Sequence, residues 1–590
     1  MKKRKEIKEE DTWDIKSLYL STKHWEKGYQ KLNNSGFLKK FEALKKEIKS
    51  AQDVKKLFDT YFFVKRKIEK LFTYAQLRLD EDLTNDENKK LFDISSALYF
   101  SFEKETAWIQ PTLMQLSLDT WIKKDILKPY SFLIEKLLRL KAYTLSSEQE
   151  LMLAAAGKAM QTPQLAFSAL NNADMKFVKV KDKKGKKLEL THGSYLIYMR
   201  SKDRALRKNA FTTLLDSFES YENTYAEILK GQVQNHVFYA NSKGYKNCLQ
   251  AALYPNNIEE KVYLTLLETV RENINVLHRY SSLKKKILNY KQMHLYDIYA
   301  PLAEMDFKKK YTDAKKLVVD SVSLLGEQYQ ATLKEALYNK RWVDPYENEN
   351  KRSGAYSSGC YDSYPYILMN YHGDLNDVLT LAHEAGHSMH SYYSHKNQEY
   401  HYGDYPIFVA EVASTFNEQM LYEDLMRKAK NKKEKLFLLS YQLDGLHATF
   451  FRQTLFAQFE LMLHEMAEKD VPITPATLKE VYLDLYKSYY GKDMTIDKQI
   501  AIEWARIPHF YYNYYVYQYA TGIAAAIHLH KLVKSDVSKQ KQYLTFISGG
   551  GSSYPLDLLK RAGVDLTISA PIKAAIDHFS YLMDEIEKLC

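Results

Sequence analysis

Cysteine is nearly missing from this chain: three in 590 residues, Cys248, Cys360 and Cys590, far apart and with no paired spacing. That argues against a disulfide framework and against a cysteine-based metal site. Glycine (20) and proline (13) are also sparse, about half or less of the usual shares of roughly 7% and 5%. So few breakers exclude a loop-rich chain and favour long helices. No run of about 18 apolar residues occurs, so no transmembrane helix and no membrane partner is expected. The first ten residues, Met-Lys-Lys-Arg-Lys-Glu-Ile-Lys-Glu-Glu, hold no apolar stretch that would act as a signal peptide, and a cytoplasmic location is expected. The net charge of +11 is carried largely by runs at 2–5, 181–187 and 427–435. Such runs read as solvated faces; with no nucleic-acid module beside them, no nucleic-acid partner is expected.

What is present is helical periodicity. Segments near 36–49, 52–80, 86–108, 146–160, 203–240, 258–291 and 312–338 repeat apolar residues at helical spacing. A chain of 590 residues is too long for one core, so two lobes are expected. Residues 175–191 read as a β-hairpin turning at Lys183-Lys184-Gly185, the clearest change of texture in the first half. A boundary placed there gives an N-terminal helical lobe, 1–191, and a second domain, 192–590. Past Trp342, tyrosine-rich extended pieces lead into Tyr366–Tyr371, read either as an edge strand that could pair with an extended peptide or as an ordinary buried strand.

The chain's chemistry concentrates in His383-Glu384-Ala385-Gly386-His387. Two histidines four residues apart share one helix face and can share one Zn²⁺, with Glu384 placed to take a proton from its water. The spacing predicts a helix over 375–394, with Asp374 as N-cap and Asp377 in the first turn. Gly386 is a poor helix former, which predicts a close approach by a neighbour. A third ligand is needed, and Glu411 lies on a helical pattern from Phe408 to Glu418. Glu418, seven residues on, reads as a partner that orients a histidine or as surface charge. His390 shares the helix face but stands roughly 10 Å of helix rise from His383, too far to share the ion; His395 and His401 are weaker still. The string His464-Glu465-Met466-Ala467-Glu468 reads as a solvated helix face. Residues 507–519 combine His509 with a dense set of tyrosines, neutral donors suited to a developing oxyanion or else an amphipathic packing stripe. Gly549-Gly550-Gly551-Ser552-Ser553 reads as a hinge or a substrate-contacting loop.

Together, Thr12-Trp13-Asp14-Ile15 with Leu18-Tyr19, Ser353-Gly354-Ala355-Tyr356, His383 to His390, Tyr402 to Ser414, Tyr554-Pro555 and Ala562 to Asp565 resemble the oligoendopeptidase F family, in the thimet-oligopeptidase group of zinc peptidases. The similarity spans nearly the whole chain and is strongest from about 340 to 565. It implies a mainly α, two-lobed helical zincin fold with a deep central channel that admits short peptides, and a small β element beside the zinc helix. It also implies one Zn²⁺ held by His383, His387 and Glu411, Glu384 as the base, and His509, Tyr514 and Tyr517 polarising the scissile carbonyl. The histidine-to-tyrosine spacing is shorter here than in thimet-type relatives, so neighbouring tyrosines compete for that role.

The expected activity is hydrolysis of internal bonds in short oligopeptides by a zinc-bound water that Glu384 activates. A zinc carboxypeptidase or dipeptidase on the same helix pair is the alternative, distinguished by trimming from an end. A non-enzymatic peptide-binding protein is a third reading; binding alone would not need a base at position 384.

Overall fold

The computed structural model describes residues 2–590. It is 71% helical and 3% strand. Helices predicted near 36–49, 52–80, 86–108 and 146–160 occur as Phe37–Lys45, Ala51–Glu81, Asp86–Thr106 and Ser147–Met160. Their starts are chemically marked. The Ser50 hydroxyl accepts from the Asp53 amide and the Asn85 side chain from the Asn88 amide, which satisfies first-turn donors that have no helical partner. The longer predicted runs are each two helices: Arg204–Glu219 and Glu222–Lys243, Glu260–Glu272 and Asn275–Ile287, Tyr311–Ser321 and Glu327–Tyr338. Apolar periodicity continued across the short breaks and hid them. No helix among the described residues is long and apolar enough to cross a membrane.

The chain divides into two compact units, each gathered from three stretches. The first comprises Met1–Thr144, Phe307–Asp424 and Leu529–Gly563; the second comprises Leu145–Asp306, Leu425–His528 and Val564–Cys590. Residue 191 falls inside the second unit. The hairpin that suggested a boundary there is a ribbon of Val180–Lys181 against Lys187–Leu188. Composition registers a local turn, whereas membership of a unit depends on which helices pack together, and that does not follow chain order.

In the first unit, the antiparallel helices Ala51–Glu81 and Asp86–Thr106 pack with the N-terminal helices around Trp25, Phe41, Ile68, Leu71 and Phe102. Trp13, from the N-terminal string, donates its indole N–H to Glu81 at 2.8 Å. A three-stranded sheet runs in the order Val343–Asp344, Tyr366–Leu368, Tyr356–Ser358. Tyr366–Leu368 is therefore the buried centre of this sheet, not an edge; the edge nearest the metal-motif helix is Tyr356–Ser358. The buried Lys351 ammonium pins the sheet, donating to Asp344 Oδ1 at 2.7 Å and to the Met369 carbonyl at 2.6 Å.

The second unit is built on helices Arg204–Glu219, Glu222–Lys243, Glu260–Glu272, Lys432–Leu446, Arg452–Glu468, Pro475–Tyr490 and Ala570–Leu589. Between Lys432–Leu446 and Arg452–Glu468 lies a π-helical turn, His447–Phe451. Two buried cations in this unit are paired, as a low-dielectric interior favours: Arg207 with Asp297 at 2.7 Å and Lys284 with Asp444 at 2.9 Å.

Candidate active site

The helix bearing the metal motif runs from Leu375 to Asn397. Asp374 caps it by accepting from the Asp377 amide at 2.9 Å, and Asp377 Oδ2 in return accepts from the amides of His372, Gly373 and Asp374. The N-terminus is thus fixed, and the phase of every side chain downstream follows from it. One face is sealed in the core through Leu375, Val378, Leu379, Ala382 and Met389.

A second helix, Ile407–Lys428, crosses the first at Gly386. A Cβ on Gly386 would lie 2.6 Å from the Ala413 carbonyl oxygen and 2.6 Å from Ser414 Cα. Only a residue without a side chain permits that approach, which brings Glu411 against the two histidines. His383 Nε2 and His387 Nε2 are 3.2 Å apart, and Glu411 Oε2 lies 3.3 Å from the first and 3.6 Å from the second. Four-coordinate ligands at roughly 2.1 Å from a zinc ion stand about 3.4 Å from one another. The donor set therefore fits a small divalent cation, and it is the group among the described residues that converges in this way.

The far sides of both rings are anchored. His383 Nδ1 donates to Glu418 Oε1 at 2.5 Å, and the His387 ring is hydrogen-bonded to the backbone of Ala410. Each anchor turns an Nε2 toward Glu411, the usual way a protein fixes the ring orientation of a metal-binding histidine. Glu418 is thus an orienting partner rather than surface charge. Burial opposes a charge on His383, yet the Glu411 and Glu418 carboxylates hold its pKa well above the ordinary value. His387 is pushed down to about 4 by burial and by the neighbouring His383. Burial would raise Glu411, but His383 and His387 hold it at about 2.

Glu384 is 8% exposed and does not join this triangle. Burial pushes its carboxyl up to about 7, against the pull of His383 and a backbone hydrogen bond from Ser357. The edge strand that supplies this bond is held to the helix by the Ser357 and Ser388 hydroxyls, 2.8 Å apart. Nothing in the sequence signalled Ser357, because its partner lies 27 residues downstream, from 357 to 384.

The remaining histidines of this region have other work. His390 is buried and stacked on Tyr405 at 3.6 Å; His395 faces Asp404 at 3.7 Å; His401 packs on Tyr130 at 4.6 Å. The triple-glycine segment is packed backbone rather than an open loop. A Cβ on Gly550 would lie 2.2 Å from the Tyr402 carbonyl oxygen, which also accepts from the Gly551 amide at 2.8 Å.

His509, Tyr514 and Tyr517 belong to the second unit. Tyr514 and Tyr517 are each 2% exposed, with their rings against Tyr263. Burial raises the pKa of both phenols. Both are buried side chains here. The half-buried His509 instead has Tyr519, whose hydroxyl is 3.3 Å from its Nε2, with Tyr515 stacked at 5.8 Å and Tyr512 edge-on. No spacing signalled this: Tyr515 precedes the helix Tyr517–Ser535 that carries Tyr519, and the positive φ of Asn513 and Tyr514 sets which ring turns inward. His464, read as solvated, is fully buried and 3.0 Å from His236, because its helix is packed on three others rather than lying at the surface.

Residues 197–578 match the model of peptidase family M3, and residues 114–177 match that of oligopeptidase F. Oligopeptidase PepF of Bacillus subtilis is 42% identical over 99% of this chain and 88% of its own length. A solved chain from Chlamydophila abortus superposes with a TM-score of 0.92 at 40% identity, covering 100% of both chains. The oligoendopeptidase-F structure from Enterococcus faecium gives 0.74 at 32% identity, over 96% of this chain and 99% of that one.

Proposed function

The chain belongs to peptidase family M3, in its oligopeptidase F group, and is a metallo-oligopeptidase that cleaves internal peptide bonds; from that premise we propose how its residues divide the work. His383, His387 and Glu411 would hold the metal, and imidazole and carboxylate donors suit zinc among the divalent ions. Bound there, zinc supplies Lewis acidity toward the scissile carbonyl.

Glu384 is the proton carrier. Its carboxylate takes a proton from the attacking water and hands it to the leaving amine. Its near-buried position in contact with Ser357 fixes where that proton is held. His509 and Tyr519 are the donors to the oxyanion: burial and the charge of Arg452 lower the His509 pKa, which favours its neutral imidazole. A neutral donor stabilises developing charge without competing as a base. Short peptides are the substrates, and the protein works in the cytoplasm.

The observation that carries this reading is the Nε2, Nε2, Oε2 triangle with Glu384 beside it on the same helix. The test is product mapping by mass spectrometry on unstructured peptides of graded length, with Glu384→Gln measured beside the parent. Internal cuts that disappear in Glu384→Gln while bound zinc is retained support it. Wild-type-like turnover by that variant would end the assignment of Glu384, and trimming from one end would favour a carboxypeptidase.

A further inference from the structure

The second unit contains a cavity of about 380 Å³ whose arginines the proposed peptidase mechanism does not use. Its walls carry three guanidinium groups, Arg200, Arg452 and Arg506, and a single carboxylate, Glu503. His509 lines it as well. The local fold explains the wall. The π turn at His447–Phe451 widens the helix just before Arg452, and π turns recur where a helix is shaped around a function.

Glu503 is already fully engaged. Its Oε2 accepts from the Tyr482 and Tyr486 hydroxyls at 2.9 and 2.5 Å, and its Oε1 accepts from Arg452 at 2.6 Å. Arg506 approaches that carboxylate no closer than 3.8 Å, outside hydrogen-bond reach. Its Nε is buried without a hydrogen-bond partner, and its plane lies over the Tyr195 ring at 4.8 Å. The buried His447 on the same wall also has an unpartnered Nδ1. Burying a guanidinium beside another, with one shared counter-charge, is costly unless an anion completes the set. A planar carboxylate matches the fork of an arginine.

We propose that this cavity is a carboxylate subsite for the peptide substrate, with Arg506 as its principal ligand and Arg452 beside it. The proposal rests on the reading of the chain as an endopeptidase in which His509 meets the scissile carbonyl. The carboxylate is either the α-carboxylate at the peptide's C-terminus or an Asp or Glu side chain.

The test uses the full-length, zinc-loaded enzyme and four matched peptides cut at the same bond: free acid against C-terminal amide, and an internal Glu against Gln. The expected result is a kcat/KM lower by roughly ten- to hundredfold, mostly through KM, when the recognised carboxylate is neutralised. Loss on amidation assigns the α-carboxylate, and loss on Glu-to-Gln exchange assigns the side chain. In Arg506→Gln the ratio between acid and neutral peptide should collapse toward one, and Arg506→Lys should restore part of it by restoring the charge. Internal cleavage with no discrimination in either pair overturns the subsite and leaves the peptidase reading intact. If no peptide is cut, the peptidase reading fails, and calorimetric binding of the peptide acid and its amide decides the subsite. Tighter binding of the acid that Arg506→Gln removes sustains it, and equal binding overturns it.

Discussion

Gly386 meets Ala413 backbone to backbone: a Cβ on the glycine would lie 2.6 Å from the alanine's carbonyl oxygen. This contact sets the separation of the two helices that carry the proposed metal ligands. Gly386→Ala must push them apart, at a cost of about 1–3 kcal/mol for overpacking. It also draws Glu411 away from His383 and His387. The expected result is zinc affinity lower by at least about tenfold, by the scale of disturbed metal sites, read by competition with a chromogenic chelator. Unchanged affinity would show that the crossing is not what places Glu411.

Glu418 acts on the metal through His383, whose Nδ1 it accepts at 2.5 Å. Glu418→Ala frees the ring to rotate. Zinc affinity should fall by about 10- to 100-fold, the usual scale for loss of such an orienting carboxylate. The same competition assay reads it, and Glu418→Gln should recover part of the loss by still accepting the hydrogen bond.

Metal and folding are linked because the three donors converge only in the folded chain. Adding zinc at about 100 times its dissociation constant should stabilise the first unit by about 2.7 kcal/mol. The denaturation midpoint should rise accordingly and fall again with a chelator. His387→Ala should show no zinc-dependent rise; a full rise in that variant would place the metal elsewhere.

The tyrosines near His509 should separate by kind. Tyr519→Phe removes a hydroxyl 3.3 Å from His509 Nε2, and kcat should fall by about 10²-fold, as for a lost oxyanion donor, with little change in thermal midpoint. Tyr514→Ala and Tyr517→Ala empty core positions that are 2% exposed, so their main effect should be loss of stability, about 3–5 kcal/mol for a large aromatic. The opposite pattern would restore Tyr514 and Tyr517 to the chemistry.

A buried cluster in the second unit makes stability depend on pH from two sides. Burial raises Glu460 from 4.5 to about 8, although the Tyr514 amide donates to it at 2.6 Å. The folded chain therefore binds its proton more tightly than the unfolded one. That contribution is complete below pH 4.5 and is lost as pH rises through about 8. Burial lowers His236 from 6.5 to about 3 and His464 to about 4. Their contribution is present above 6.5 and is lost as pH falls toward those values. Glu460→Gln stays neutral, so its stability relative to wild type should climb between pH 5 and 8, by at most about 1.4 kcal/mol per pH unit. Urea denaturation across that range measures it, and parallel curves would mean that Glu460 is ionised in the folded protein.

The candidate metal centre was the most legible part of the chain because its determinants are local. A four-residue spacing on a capped helix puts two imidazoles on one face, and a glycine in mid-helix announces a close neighbour. Glu411 was reachable because its own helix follows within a short stretch. The tyrosines were not separable by composition. All five at 511–517 look alike until the turn at Asn513 and Tyr514, both with positive φ, sends Tyr514 inward. His464 was misplaced, and Tyr366–Leu368 left open between edge and buried strand, for one reason: periodicity shows which face is apolar, not how many elements cover the other.

The sequence by itself determined the helical class and pointed to the candidate ligand set and base, since helix geometry converts spacing into direction without help from the rest of the chain. Only the tertiary structure decided that each compact unit is assembled from three separated stretches, that Ser357 bonds Glu384, and that the Arg506 Nε is buried without a partner. Those outcomes depend on pairings between residues distant in the chain, and such pairings are selected by the packing of whole faces rather than by any local pattern.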